Sequence, residues 1–250
     1  MSQHRVPAVD TAIQMLKVLA KTPDISIKEI ISDVNVTRST AYRILNSLED
    51  GGLIKGSDRN TFQLGLGLKR LAQAVRLELD LGSIAQPEMD KAAQELGYSV
   101  KLSVIDGLEA LIIAVAASNN PYAIHTEPGR RFPLHAGAAS KVLLAFAAQP
   151  LRDKVLNGDL AALTDQTNTD PLNLQGELRK VRQQGWAIDH GEHARSVHAV
   201  AVPVFGPEGE CLAALSIPYL QNDEEQALPI LLPRLQECGL RLSEFLATHT

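Results

Sequence analysis

Cysteine is almost absent from this sequence. Cys211 and Cys238 are the only two, too few and too far apart for a disulfide framework or a zinc site readable from spacing. They read as buried thiols in a reducing compartment. Long apolar runs are also missing: the longest, such as Ala110 to Ala117 and Val142 to Ala148, fall far short of the roughly 20 residues that a bilayer crossing needs. The N-terminal MSQHRVPAVD lacks the apolar core of a signal peptide. A cytoplasmic protein without membrane contact is therefore expected. Catalytic signatures are lacking too. There is no G-x-S-x-G elbow, no Walker or Rossmann glycine pattern, and no internal repeat or low-complexity tract. A hydrolase built on Ser140 or Ser216 with a histidine and Asp189 rests on residue types too common to count, so no catalytic residue and no cofactor are assigned.

What the chain does have is enough apolar material for two ordinary domains: 250 residues, of which 45% are hydrophobic and 21% charged. The net charge of −5 is unevenly spread, since residues 1–75 hold 10 Lys+Arg against 7 Asp+Glu and the remainder 14 against 22. The basic balance at one end suggests that phosphate contacts belong there.

The first 67 residues show an ordered series of signals. Asp10 to Ala20 carries Ile13, Leu16, Leu19 and Ala20 on one helical stripe, with Pro23 just beyond. Ser26 and Glu29 form a capping-box pattern before Ile30, Ile31 and Val34, and Asn35-Val36 makes a turn. From Thr37 to Asp50, Ala41, Ile44, Leu45 and Leu48 fill one arc while Arg38, Ser39, Tyr42, Arg43, Asn46 and Ser47 fill the other. Thr37 caps this third helix and Gly51-Gly52 ends it. Leu53-Ile54-Lys55, a turn at 56–60, and Thr61 to Leu64 then read as a β-hairpin with Lys55, Arg59 and Asn60 near its tip. A solvated surface helix would show the same periodicity. The order of elements instead predicts a winged helix-turn-helix, with Arg38, Ser39, Thr40, Tyr42, Arg43, Lys55 and Arg59 as its DNA contacts.

Several stretches resemble the IclR-type bacterial transcription regulators: VTRSTAYRILNSLEDGGLI with FQLGLGL, RFPLHAGAASKVLLAF, and GWAIDHGEHARSVHAVAVPVFGPEGECLAALSI. They span nearly the whole chain in family order. The resemblance implies an α+β protein: an N-terminal winged helix-turn-helix domain over 1–67, a linker helix over 68–82, and a C-terminal GAF/profilin-like α/β effector-binding domain over 83–250. The residues agree with that plan. Leu71, Ala72, Val75 and Leu79 lie on a helical stretch, Gly82 is a break before Ile84 to Leu96, and Asp106-Gly107 is a hairpin turn between Tyr98–Ile105 and Ala110–Ala116. Leu174 to Gln184 reads as a helix, Trp186–Ile188, Val200–Phe205 and Leu212–Ile217 as strands, and about Asp223 to Ala247 as a helix interrupted or kinked near Pro229 and Pro233.

In the His135-to-Lys141 segment, small residues precede an apolar helix from Val142 to Ala147. By itself this reads as close packing. The resemblance implies that backbone N–H groups at Ala138 and Ala139 hold an effector carboxylate, with Asp189, Ala199 and Ser216 as further effector contacts; His198, by its chemistry, is a further candidate donor to an effector oxygen. Two departures stand out: Ala199 replaces a cysteine and Pro218 a serine of many relatives that bind small oxo-acids, so a bulkier, more apolar acid is expected. His190, Glu192, His193 and His198 cluster beside Asp189, but their spacing fits no standard zinc motif, so no metal is assigned and a polar loop is the simpler reading. The expected partners are a palindromic operator DNA, a small carboxylate effector, and further copies of the chain in a homodimer or homotetramer.

Overall fold

A computed structural model describes residues 6–22, 24–57, 61–74, 78–120 and 123–249. The chain divides into two compact units, Met1–Leu77 and Glu78–Thr250.

The first unit opens with α1 (Pro7–Lys21), whose proline sits at the start of the helix where a missing N–H costs nothing. Its buried stripe is Met15 and Leu19, flanked by Ala12, Leu16 and Val18. The expected stripe is thus displaced by part of a turn: Ile13 is 46% exposed and Ala20 also faces out. Strand β1 (Ile25–Ser26) leads into α2 (Ile27–Val34), where the Ser26–Glu29 capping box forms as expected. Asn35, in the left-handed conformation at φ 53°, closes α2, and Thr37 caps α3 (Arg38–Asp50) by accepting from the Thr40 N–H. Strands β2 (Ile54–Gly56) and β3 (Thr61–Leu64) form the hairpin, and β1 adds a third strand on β3 in the order β1-β3-β2. Two residues long, β1 has no periodicity to read.

Two glycines join the hairpin to α4 (Leu66–Ala74). The N–H groups of Gly65 and Gly67 donate to Leu53 O and Gly52 O. A Cβ on either glycine would lie 2.4 or 2.5 Å from Gly52 O. The backbones approach too closely for any side chain.

In the second unit, α5 (Glu78–Leu96) is followed by the hairpin β4 (Val100–Asp106) and β5 (Glu109–Ala116), then β6 (Arg131–Pro133), α6 (Ala138–Phe146), α7 (Gln149–Leu156) and α8 (Pro171–Gln184). Three long strands, β7 (Ala187–Ala194), β8 (Val197–Phe205) and β9 (Cys211–Leu220), precede α9 (Glu224–His249). The six strands form one antiparallel sheet in the order β6-β5-β4-β9-β8-β7. Helices α5 and α9 cover one face around Met89, Leu102, Leu215, Leu231 and Leu235. The other core holds Leu134, Val142, Leu144, Leu174 and Leu178 with Ala199, Ala201 and Ala214. Among the described residues, no helix is long and apolar enough to cross a membrane.

Three expectations are corrected here. Gly82 lies inside α5 rather than breaking it; a Cβ there would meet the Ala114 Cβ at 3.5 Å, so the glycine serves close packing on β5. Helix α9 runs through Pro229 and Pro233, which overturns the interruption but not the kink. A proline inside a helix costs about 3 kcal/mol, but Ala227, Leu231, Leu235, Cys238, Leu242 and Leu246 bury one continuous stripe, at roughly 1.5–3 kcal/mol for each large side chain. Finally, the His190–His193 segment is part of β7, not a loop: it is polar because β7 is an edge strand whose backbone pairs with β8 across a bulge.

The close approach of the hairpin and α4 gives a direct check. Gly67→Ala should destabilise the N-terminal unit by about 1–3 kcal/mol, since the backbone must move to admit a methyl. Thermal unfolding by circular dichroism measures it; an unchanged midpoint would mean that the segment can relax without loss.

Candidate functional site

The β-strand alternation of the second unit decides what faces α6. On β4, Val100, Leu102 and Val104 enter the core under α5 and α9, which turns Lys101 and Ser103 to the opposite face. Asp189, Ala199 and Pro218 form one transverse row across β7, β8 and β9, and Lys101 pairs with Ser216 across β4 and β9. These residues, with Ile112, Phe132, His193 and the 136–140 segment, line a cavity of about 70 Å³. At roughly 10–15 Å³ of such volume per water, it holds about five to seven waters, the space of a small one-ring acid.

The α6 N-terminus forms one wall. Gly137 caps it at φ 98° and ψ 152°, a conformation open essentially only to glycine. The first N–H bonded back across the turn is that of Lys141, to Gly137 O, so the Ala138, Ala139 and Ser140 N–H groups have no acceptor inside the helix. Glu192 holds this helix end in place: its carboxylate accepts from the Gly137 N–H at 3.2 Å and pairs with the buried Lys141 ammonium, which also meets Glu177 at 3.3 Å. Burial opposes the Lys141 charge, but Glu192 and then Glu177 and Asp189 outweigh it and raise its pKa.

The remaining polar groups have less company. Among the described residues, Ser216 Oγ finds no hydrogen-bond partner although it is buried. Burial pushes Lys101 down to about 8, against the attraction of Asp189 and with help from Arg130, and its ammonium lies 5.8 Å from the centre of the Phe132 ring. His193 stacks edge-on against Phe132 at 4.6 Å, and burial, Arg130 and Lys101 lower its pKa, which favours the neutral imidazole. Asp189 accepts from the Glu192 N–H at 2.7 Å, yet burial first, and the Glu192 charge second, push it up to about 6. One cation, one weakened acid, an unpartnered hydroxyl and free backbone donors thus surround an otherwise apolar space, an arrangement suited to an anion with an apolar body.

Of the residues expected at this site, Ala138, Ala139, Asp189, Ala199 and Ser216 line the cavity. His198 does not: one position from Ala199 on the same strand, it faces the other side of the sheet and pairs with Glu224. Lys101 was missed. Its signal is a lone cation in an apolar strand, which becomes informative only once both faces of the sheet are known to be covered.

In the first unit, α3 buries Ala41, Leu45 and Leu48 and exposes Arg38, Ser39, Thr40, Arg43, Asn46 and Ser47. Tyr42 and Ile44 are half-buried against the core, and the Arg38 guanidinium lies 5.6 Å from the centre of the Tyr42 ring. The Thr40 hydroxyl accepts from Thr37. Lys55 is exposed on β2. Arg59 and Asn60 lie outside the described residues.

A family model for the "Bacterial transcriptional regulator IclR C-terminal" matches residues 73–244, and one for "Winged helix-turn-helix DNA-binding" matches residues 10–55. The chain is 32% identical over 220 residues to the Pca operon regulatory protein of Acinetobacter baylyi, covering 84% of this chain and 78% of that protein. It is 26% identical to the HTH-type transcriptional regulator KipR of Bacillus subtilis, with 96% and 97% covered. Among solved structures, an IclR homolog complexed with 4-hydroxybenzoate from Microbacterium hydrocarbonoxydans has a TM-score of 0.82 at 23% identity, with 96% and 99% covered.

The raised Asp189 pKa has a consequence for stability. The folded state holds this proton up to about pH 6, whereas the unfolded chain releases it near 3.8. The associated stabilisation is full below 3.8 and is lost as pH rises through about 6. Asp189→Asn keeps an oxygen for the Glu192 N–H and removes the buried charge. It should raise stability at pH 8 by about 1–3 kcal/mol and flatten the slope between pH 4 and 7 in urea titrations. A variant with the wild-type slope would show that Asp189 does not titrate in that range.

Proposed function

The chain belongs to the IclR family of bacterial transcriptional regulators, and from that premise we propose that its DNA binding is controlled by a small organic acid held in the cavity at the α6 N-terminus. It is a DNA-binding regulator with an effector-binding domain. The observation that supports the acid is the company of Lys101, the unpartnered Ser216 hydroxyl and the free Ala138 and Ala139 N–H groups around one small space. The acid's charged end meets Lys101 and the helix end, and its body lies against Ile112, Phe132, Ala199 and Pro218. Ala199 and Pro218 leave that part of the wall without hydrogen-bonding side chains, which favours an apolar body. The Microbacterium protein holds 4-hydroxybenzoate in the same fold, which makes hydroxybenzoates the first acids to try beside glyoxylate and pyruvate.

Operator contact is assigned to Arg38, Ser39, Thr40, Tyr42 and Arg43 of α3, with Lys55 and Arg59 of the hairpin on phosphates. Two recognition helices reading a palindromic operator require at least a dimer. Exposed Val9 and Ile13 of α1 and Leu66 of α4, the last 82% exposed, support pairing through the N-terminal unit and linker into a homodimer or homotetramer. A regulator of this kind works in the cytoplasm, where the operator is.

Two measurements test these assignments. Arg43→Ala should weaken operator binding by about 1–3 kcal/mol if it reads a base, leaving acid binding intact; unchanged affinity in this variant and in Arg38→Ala would remove α3 from its role. For the cavity, calorimetry with the acid panel should find a ligand whose affinity falls as pH rises through about 8, where Lys101 loses its charge. Lys101→Met should cost that ligand tenfold or more, about 1.4 kcal/mol, and abolish this pH step. Full affinity in Lys101→Met would sink the cavity assignment. An acid that binds without changing operator affinity would separate binding from control, because coupling between two ligands must be reciprocal.

A further inference from the structure

On the far side of the same strands lies a second cluster that the effector reading does not use. His190 on β7 is the Cα partner of His198 on β8, which is the Cα partner of Tyr219 on β9. The three side chains therefore stand in one row on the face turned away from the cavity. Glu224, the first residue of α9, reaches into this row: its Oε1 lies 3.3 Å from His190 Nδ1, and its Oε2 is paired with His198 Nδ1. One donor atom from each of His190, His198 and Glu224 falls within 4.8 Å of the other two. The imidazole rings meet edge to face at 5.3 Å. In the same row the Tyr219 hydroxyl is buried without a hydrogen-bond partner among the described residues.

Each Nδ1 thus faces an oxygen of the Glu224 carboxylate. A divalent cation placed among these three groups takes a direct bond from each. Two imidazoles and one carboxylate supply three ligands of the kind that suits zinc and its first-row neighbours, while magnesium and calcium prefer all-oxygen sets. Ligand bonds of about 2.0–2.2 Å require only small rotations, and His190, exposed at the sheet edge, is able to make one. We propose that His190, His198 and Glu224 bind one divalent transition-metal ion of the zinc class, with water completing the shell. The ion staples the start of α9 to the β7–β8 edge. The two histidines occupy positions that fit no linear zinc motif, because strand pairing and the return of α9 assemble the site.

The test uses the full-length protein, stripped with a chelator and titrated with Zn²⁺ by calorimetry and with Co²⁺ by absorption. One Zn²⁺ per chain is expected, with a Co²⁺ spectrum free of thiolate charge-transfer bands, and no comparable uptake of Mg²⁺. His190→Ala changes an exposed side chain and Glu224→Gln keeps the shape of its site, so both should fold, as circular dichroism melting would verify. Each should weaken Zn²⁺ binding tenfold or more, and the double variant should abolish it. No saturable uptake by the native protein, or uptake of equal affinity in His190→Ala and Glu224→Gln, would overturn the proposal. Because neither residue lines the cavity, acid binding should persist in both variants, and failure of either site can be told apart from failure of the other.

Discussion

The candidate effector cavity depends on one buried carboxylate. Glu192 gives one oxygen to the Gly137 N–H and the other to the Lys141 ammonium, and its own N–H donates to Asp189. Through those three links the bulged edge of the sheet holds the N-terminus of α6, and the orientation of α6 decides where its free N–H groups point. Removing one partner of such a pair leaves an uncompensated buried charge, at a cost of about 3–5 kcal/mol. Thr164 and Thr167 extend the network by donating to the carbonyls of Gly191 and Glu192, so the loop between α7 and α8 is anchored at the same place. A protein that selected only for stability would place apolar side chains here. The ionic network instead fixes a helix end beside an open space.

The two-residue repeat of a strand gives β7, β8 and β9 two unlike faces. Asp189, Ala199 and Pro218 look toward α6, while His190, His198 and Tyr219 look toward α9. Neighbouring residues with similar chemistry thus serve different environments. The polar stretch from Asp189 to His193 looks like a single cluster along the chain, yet it is divided between two sides of a sheet. This division keeps His198 away from the cavity and brings it to Glu224, a partner contributed by another element altogether.

Burial separates the polar groups around the cavity by their degree of compensation. Lys141 keeps its charge because two carboxylates meet it. Among the described residues Lys101 has no such partner within bonding reach, and its pKa drops to about 8; Asp189, with a carboxylate neighbour, rises to about 6. Both groups sit near the edge of losing or gaining a proton at ordinary pH, and an anion arriving in the cavity supplies the counter-charge that Lys101 lacks.

The winged helix-turn-helix could be read from the sequence because its signals are local. Ser26 with Glu29, Thr37, and the polar arc of α3 each act within one or two helical turns, and the Asp106-Gly107 turn fixes its hairpin in the same way. The α1 stripe lies a fraction of a turn from the one its sequence predicts, because Ile13 is as apolar as Met15 and only packing shows which one the core takes. Resemblance to a family directed attention to Ala138, Ala139, Asp189, Ala199 and Ser216, although nothing in their spacing brings them together. Tertiary structure alone decided that Gly82 packs rather than breaks, that α9 passes through its prolines, that Lys101 faces the cavity, and that His198 turns its back on it. In each case the deciding contact comes from a residue far along the chain, and the energy of that contact, whether buried apolar area or a paired charge, exceeds the local preference that the sequence displays.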